Sequence, residues 1–144
     1  MGEHNLQIIA GITLGEGSFH IQKHIQNKAK DITYQPCISI SNTEKEILEF
    51  CPKEIGGALF TNRLKTDKHK ESYFLLINGF QNIIDVTEKI YPFLIGKKKK
   101  SAELIIKFCQ SRIKLGRIKY TQEEIKIIEE LKEINKRGIS SSIN

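Results

Sequence analysis

Glu16 closes a segment, residues 8–16, whose only other polar side chain is Thr13. Ile8, Ile9 and Ile12 recur at helical spacing, and Asn5 is placed to cap the helix they would form. Gly15 and Gly17 permit the backbone angles at which such a helix ends. Gly11 and Gly15 are four apart and share a face, where the missing side chains admit a second helix. An apolar helix that carries a carboxylate to a point of close approach suggests that two copies meet there. Two Glu16 carboxylates held together would repel unless a divalent cation sat between them.

The second concentration of chemistry is cationic. The net charge is +6, yet residues 97–119 hold nine Lys/Arg against Glu103 alone, while the segments before and after are each at −1. A solvated helix face normally mixes signs, so a one-signed block suits a polyanion, most often nucleic acid.

The third is neutral and polar. After Gly17 the hydrophobic period becomes two: Phe19, Ile21 and Ile25 alternate with Ser18, His20, Gln22, His24 and Gln26. Beyond the polar turn 27–31, Tyr34, Ile38 and Ile40 alternate with Thr33, Gln35, Cys37, Ser39 and Ser41. Neutral donors and acceptors of this reach suit base edges, whereas Lys and Arg mainly find phosphates. The same residue types are also ordinary on any polar β surface. A third strand adds Thr61, Arg63 and Lys65, and a fourth adds Ser72. His20 and His24 do not form a metal pair, because positions four apart on a strand are separated by about 13 Å.

The elements that must position these groups follow in order. Pro36 hints at an edge or bulge in the second strand. Thr43-Glu-Lys-Glu46 reads as a capping box for a helix through Ile47, Leu48 and Phe50, ending near Pro52. Residues 58–65 and 70–77 form a second strand pair, with Tyr73, Leu75 and Ile77 as its apolar face. Residues 79–91 return to helical spacing until Pro92, and a longer helix runs from about Lys98 to Leu115 with Ala102, Ile105, Ile106, Cys109 and Ile113 inward. Thr121-Gln-Glu-Glu124 is a second capping box, opening a last helix that ends at Gly138. The fold class is α+β: two hairpins separated by a helix predict one four-stranded antiparallel sheet, helices on one face and the other face open.

A chain of 144 residues fits one domain, residues 1–138, with 139–144 as a frayed tail. No apolar run approaches membrane-spanning length, and the first residues lack the layout of a signal peptide. Cys37, Cys51 and Cys109 are odd in number and have no CxxC pairing, so neither a disulfide framework nor a zinc site is expected. An intracellular protein follows, and its Ile and Lys usage fits an organellar or microbial genome.

Two known patterns compete for the opening segment. Leu14-Gly-Glu-Gly-Ser-Phe19 looks like the start of a protein-kinase glycine-rich loop. That loop needs a preceding strand and a third glycine, but the segment is helical in period and His20 occupies the third position. No His-Arg-Asp or Asp-Phe-Gly follows, and the kinase reading is rejected. Ile9-Ala-Gly-Ile-Thr-Leu-Gly-Glu-Gly17 resembles, position by position, the motif of the LAGLIDADG homing endonucleases. Thr13 replaces an apolar residue and Leu14 replaces the first acid, while Glu16 matches the second. Pro92-Phe-Leu-Ile-Gly-Lys-Lys-Lys-Lys-Ser-Ala102 resembles that family's lysine-bearing turn into its long helix.

The resemblance covers nearly the whole chain and implies an αββαββα core with additional C-terminal helices, its sheet forming a saddle over DNA. It implies a single-motif homodimer whose motif helices meet through Ile8, Gly11, Ile12 and Gly15. Glu16 and the carbonyl of Gly15 would hold Mg2+ or Mn2+, and Asn42 would orient water near the scissile phosphate. The active-site lysine is Lys97 by the spacing from Pro92 and Lys98 by the spacing back from Ala102; the helix register favours Lys98. Base and backbone contacts would come from Ser18, His20, Gln22, His24, Gln26, Thr33, Gln35, Cys37, Ser39, Thr61, Arg63, Lys65, Ser72, Lys97 and Lys100. The implied activity is site-specific cleavage of both strands of a long, nearly palindromic target, with no membrane or small-molecule partner. The rivals are an RNA maturase or non-cleaving DNA-binding protein on the same scaffold, and a plain interaction module.

Overall fold

The computed structural model describes residues 2–26, 31–56, 58–62 and 72–143. Helix α1 (Gly2–Glu16) leads directly into β1 (Gly17–Gln26), which pairs with β2 (Asp31–Asn42). Helix α2 (Lys45–Ile55) is followed by β3 (Ala58–Asn62), β4 (Ser72–Asn78) and α3 (Phe80–Ile90). A 3-10 turn, Tyr91–Phe93, then joins α3 to α4 (Gly96–Leu115), and α5 (Gln122–Ile143) ends the chain. The four strands are antiparallel in the order β1-β2-β4-β3.

Register decides which side chains the helices cover. Phe19 lies opposite Ile38, Ile38 opposite Ile77, and Ile40 opposite Leu75. All five are buried, in one core with Ile9 and Ala10 of α1, Leu48 of α2, Ile83 of α3 and Ile105 of α4. The alternate residues of each strand face the other way.

Several element ends differ from the sequence expectation. Asn5 lies inside α1 and its Nδ2 donates to Glu54 Oε1 at 2.8 Å, tying α1 to α2 instead of capping. The box at Thr43 does not form: α2 begins at Lys45, and Asn42 Oδ1 accepts from the Glu44 N–H at 2.9 Å. Pro52 sits inside α2, where it removes one backbone hydrogen bond. The extra turn buries Ile55 and closes on Gly56, whose φ of 83° suits glycine and whose N–H reaches Pro52 O at 2.9 Å. Helix α5 continues past Gly138 through the residues expected to be a frayed tail.

The box at Thr121 does form. Glu124 N–H donates to Thr121 Oγ1 at 3.1 Å, and Thr121 N–H donates to Glu124 Oε1 at 2.8 Å. Glu124 is also half of a buried ion pair, 3.1 Å from Arg112 Nη1. Arg112, 7% exposed, further donates to the carbonyls of Gly116 and Ile118 and lies over the Tyr120 ring. It takes the inner place on α4 that its apolar neighbour Ile113 was expected to fill, and Ile113 is 48% exposed.

Candidate active site and nucleic-acid face

The end of α1 is built by close packing. Thr13 is fully buried, and its hydroxyl donates back to Ile9 O at 2.8 Å, which satisfies the one polar group placed where an apolar residue was expected. A Cβ on Gly17 would lie 2.8 Å from Thr13 Cγ2, so only glycine fits at the helix-to-strand turn. Leu14 packs against the core. Glu16, the last residue of α1, is exposed and lines a shallow depression with Ser41, Asn42, Thr43, Ser72 and Phe74.

From the first turn of α4, Lys98 Nζ donates to the carbonyl of Gly17 and, at 3.4 Å, to that of Thr13. These are main-chain oxygens at the end of α1, where the helix itself supplies no donors. Burial lowers the Lys98 pKa below the ordinary lysine value, while the nearby Glu16 carboxylate pulls it back up. Lys97, one residue earlier, is exposed, as is Lys100. Lys99 sits over the Tyr91 ring, 5.1 Å from its centroid. Glu16, Asn42 and Lys98 thus converge on one end of the sheet from α1, β2 and α4.

Above Glu16 runs a face of α1 that, among the described residues, is left largely uncovered. Ile8 is 42% exposed, Gly11 and Gly15 are exposed, and Ile12 is half-buried. A Cβ on Gly11 or Gly15 would meet nothing within 4 Å. The fold of one chain therefore explains Gly17 but not these two.

On the open face, β1 and β2 pair as Ser18 with Ser39, His20 with Cys37, Gln22 with Gln35 and His24 with Thr33. Gln22, His24 and Gln35 are exposed; Ser18, His20, Thr33, Ser39 and Ser72 are half-buried. Burial lowers the His20 pKa, so at neutral pH its ring is uncharged and offers one donor and one acceptor. Gln26 ends β1.

Two expected contacts are corrected. Cys37 is only 6% exposed, too enclosed between flanking strands to reach a ligand first. Thr61 is paired with Tyr73, in the row of Leu75 and Ile77, so its position belongs to the covered face. The expected alternation on β3 is off by one residue, which exchanges the faces. Arg63 and Lys65 lie outside the described residues. The sequence reading also missed Phe74 and Leu76, the alternate residues of β4, which face outward next to Ser41 and Ser39. The signal was present: Tyr73–Ile77 is a continuous apolar run, the mark of a strand apolar on both faces.

Among the described residues no three His, Cys, Asp or Glu side chains gather to hold a metal ion. One chain offers the Glu16 carboxylate and the main-chain oxygens of the last turn of α1, including that of Gly15. That donor set fits a hard divalent cation in chemistry but not in number, and a second copy would double it.

No protein-family model matches the chain, and no curated protein does. Solved structures do. The archaeal intron-encoded homing endonuclease I-Vdi141I, complexed with DNA, is 19% identical over 93% of this chain and 86% of its own, with a TM-score of 0.73. The homing endonuclease I-CvuI, in complex with the I-CreI target, is 17% identical over 96% and 82%, with a TM-score of 0.66. The chain has the LAGLIDADG homing-endonuclease fold. A third homing endonuclease, I-TnaI, matches with 19% identity over 92% of this chain and 96% of its own, at a TM-score of 0.66. The LAGLIDADG enzyme I-GzeII matches over 90% of this chain but 43% of its own length. Helix α1 ends on Glu16, and Lys98 lies in the first turn of α4.

Proposed function

We propose that the chain is a site-specific DNA endonuclease that acts as a homodimer with Mg2+ or Mn2+ on a long, nearly palindromic target. The carrying observation is the uncovered Gly11/Gly15 face of α1, which descends to Glu16 beside Asn42 and Lys98. Apposition of two such faces brings two sites together and gives each carboxylate a partner. The fold is shared with enzymes solved on DNA, and with I-CvuI studied in the presence of Mg or Ca. I-GzeII, more than twice as long as the stretch matched here, has room for two such units in one chain.

Each residue has a task that its surroundings support. The paired Glu16 carboxylates would hold the cation together with main-chain oxygens at the end of α1, Gly15 among them. Bound there, the cation would neutralise charge at the phosphate and make water a better nucleophile. An ammonium has three N–H donors, and the carbonyls of Gly17 and Thr13 take two of those of Lys98. The third can meet a phosphate oxygen, and the lowered pKa eases transfer of its proton. Asn42, fixed through its Oδ1 to the Glu44 N–H, is positioned to orient water. Lys97 and Lys100 bind the phosphate backbone, and the outward polar residues of β1 and β2 read bases.

The test is incubation of the purified protein with plasmids carrying candidate insertion sites, with and without Mg2+. Double-strand cutting at one site, only with the cation, is the expected result. Specific DNA binding without cutting would leave a DNA-binding protein on this scaffold, and preference for RNA a maturase.

A further inference from the structure

The open face is chemically divided. On its β1–β2 wing the outward rows are Ser, His, Gln and Thr, with the enclosed Cys37 among them. On β4, by contrast, Phe74 and Leu76 stand between Ser72 and Asn78. Phe74 lies opposite Ser41 and shares the depression that holds Glu16 and Asn42. An apolar patch rimmed by polar residues on an otherwise polar surface marks a contact site.

The helix-covered face already takes Tyr73, Leu75 and Ile77, so Phe74 and Leu76 are not needed to fill that core. If the open face lies on DNA, as the proposed function requires, this patch must meet something apolar. In the major groove the only such group is the 5-methyl of thymine. We infer that Phe74 and Leu76 read thymine methyl groups in the base pairs nearest the scissile phosphates. The outer base pairs of each half-site are read by the polar β1–β2 wing. Because uracil lacks the methyl, the same two residues favour DNA over RNA.

Selection of binding sites from a randomised duplex library tests this first. The wild-type protein is expected to enrich A·T pairs next to the cut, and deoxyuridine is then placed at each selected thymine in turn. Near the cut, each exchange should weaken binding about fourfold, as for one methyl group returned to water. At outer positions it should have no effect. Phe74→Ser and Leu76→Ser should each lose the thymine preference at the position that residue reads and keep it at the other. The deoxyuridine arm uses unaltered protein and does not depend on how the variants fold. Unchanged binding of wild type to the uracil targets, or a thymine preference that persists at every position in both variants, overturns the assignment. Failure of the endonuclease reading is visible separately, as no sequence-specific complex with any duplex, and the base reading then falls with it.

Discussion

Lys98 reaches from α4 to the carbonyl of Gly17, a residue eighty-one positions earlier, at the turn where α1 becomes β1. The contact locks the lysine-bearing helix to the residue after Glu16. Of the two adjacent lysines, Lys98 points into the α1 terminus, whereas Lys97 is exposed.

Lys98→Met is expected to slow cleavage by at least about 100-fold, the usual scale for losing a proton-transfer group, with little loss of binding. Lys97→Ala should cut at near wild-type rate. The lowered pKa also fixes a pH dependence. Below its folded pKa the buried ammonium lowers stability, and above the ordinary lysine value this penalty is gone. In the window between them the folded state holds fewer protons than the unfolded, so stability rises with pH. Denaturant titrations of wild type and Lys98→Met should show that rise in wild type alone.

The three motif glycines should respond differently. Gly17→Ala forces a Cβ against Thr13 and should destabilise the monomer itself, by about 1–3 kcal/mol. At Gly11 and Gly15 an added Cβ meets no described atom within 4 Å and leucine improves helix propensity, so the monomer of Gly11→Leu or Gly15→Leu should melt no lower than wild type. They should nevertheless abolish dimerisation and cleavage together. An active dimer of Gly11→Leu in sedimentation would remove α1 from the interface.

Lys97→Ala and Lys100→Ala should weaken binding to every DNA sequence alike. Either substitution, by giving up one phosphate, should reduce the slope of log affinity against log salt by about 0.9. A change in site preference instead would make these lysines base readers.

Arg112→Ala should cost about 3–5 kcal/mol, because it leaves the buried Glu124 carboxylate and the Gly116 and Ile118 carbonyls without their donor. Arg112→Lys should recover little, since one ammonium cannot span the same three acceptors. Chemical denaturation of the two variants measures both.

Much of this arrangement is legible in the residues. The Gly11/Gly15 spacing, the acid at position 16 and the Thr121–Glu124 box are local patterns that the fold keeps, whereas the equally local box at Thr43 does not form. The two hairpins are legible too, but not that β2 and β4 are the strands that join them into one sheet. What the sequence hides is set by packing between distant segments. A buried Arg112 is invisible without Glu124 opposite it, and hydrophobic spacing alone puts Ile113 in its place. Thr61 falls on the opposite face from the one expected because one residue of register reverses a strand, and Thr-Asn-Arg-Leu-Lys65 has no apolar alternation strong enough to fix it. Asn5 looks like a cap because Asn caps helices, yet its partner Glu54 lies forty-nine residues away.

The role of Glu16 stands or falls on Glu16→Gln, which keeps the size of the side chain and removes its charge. Gel-shift and nicking measurements on this one variant are sufficient. Target binding is predicted to equal or exceed that of wild type without Mg2+, because carboxylate–phosphate repulsion is relieved, and cleavage to slow by orders of magnitude. A Glu16→Gln protein that cuts at near the wild-type rate would contradict this, and would take the carboxylate out of the chemistry.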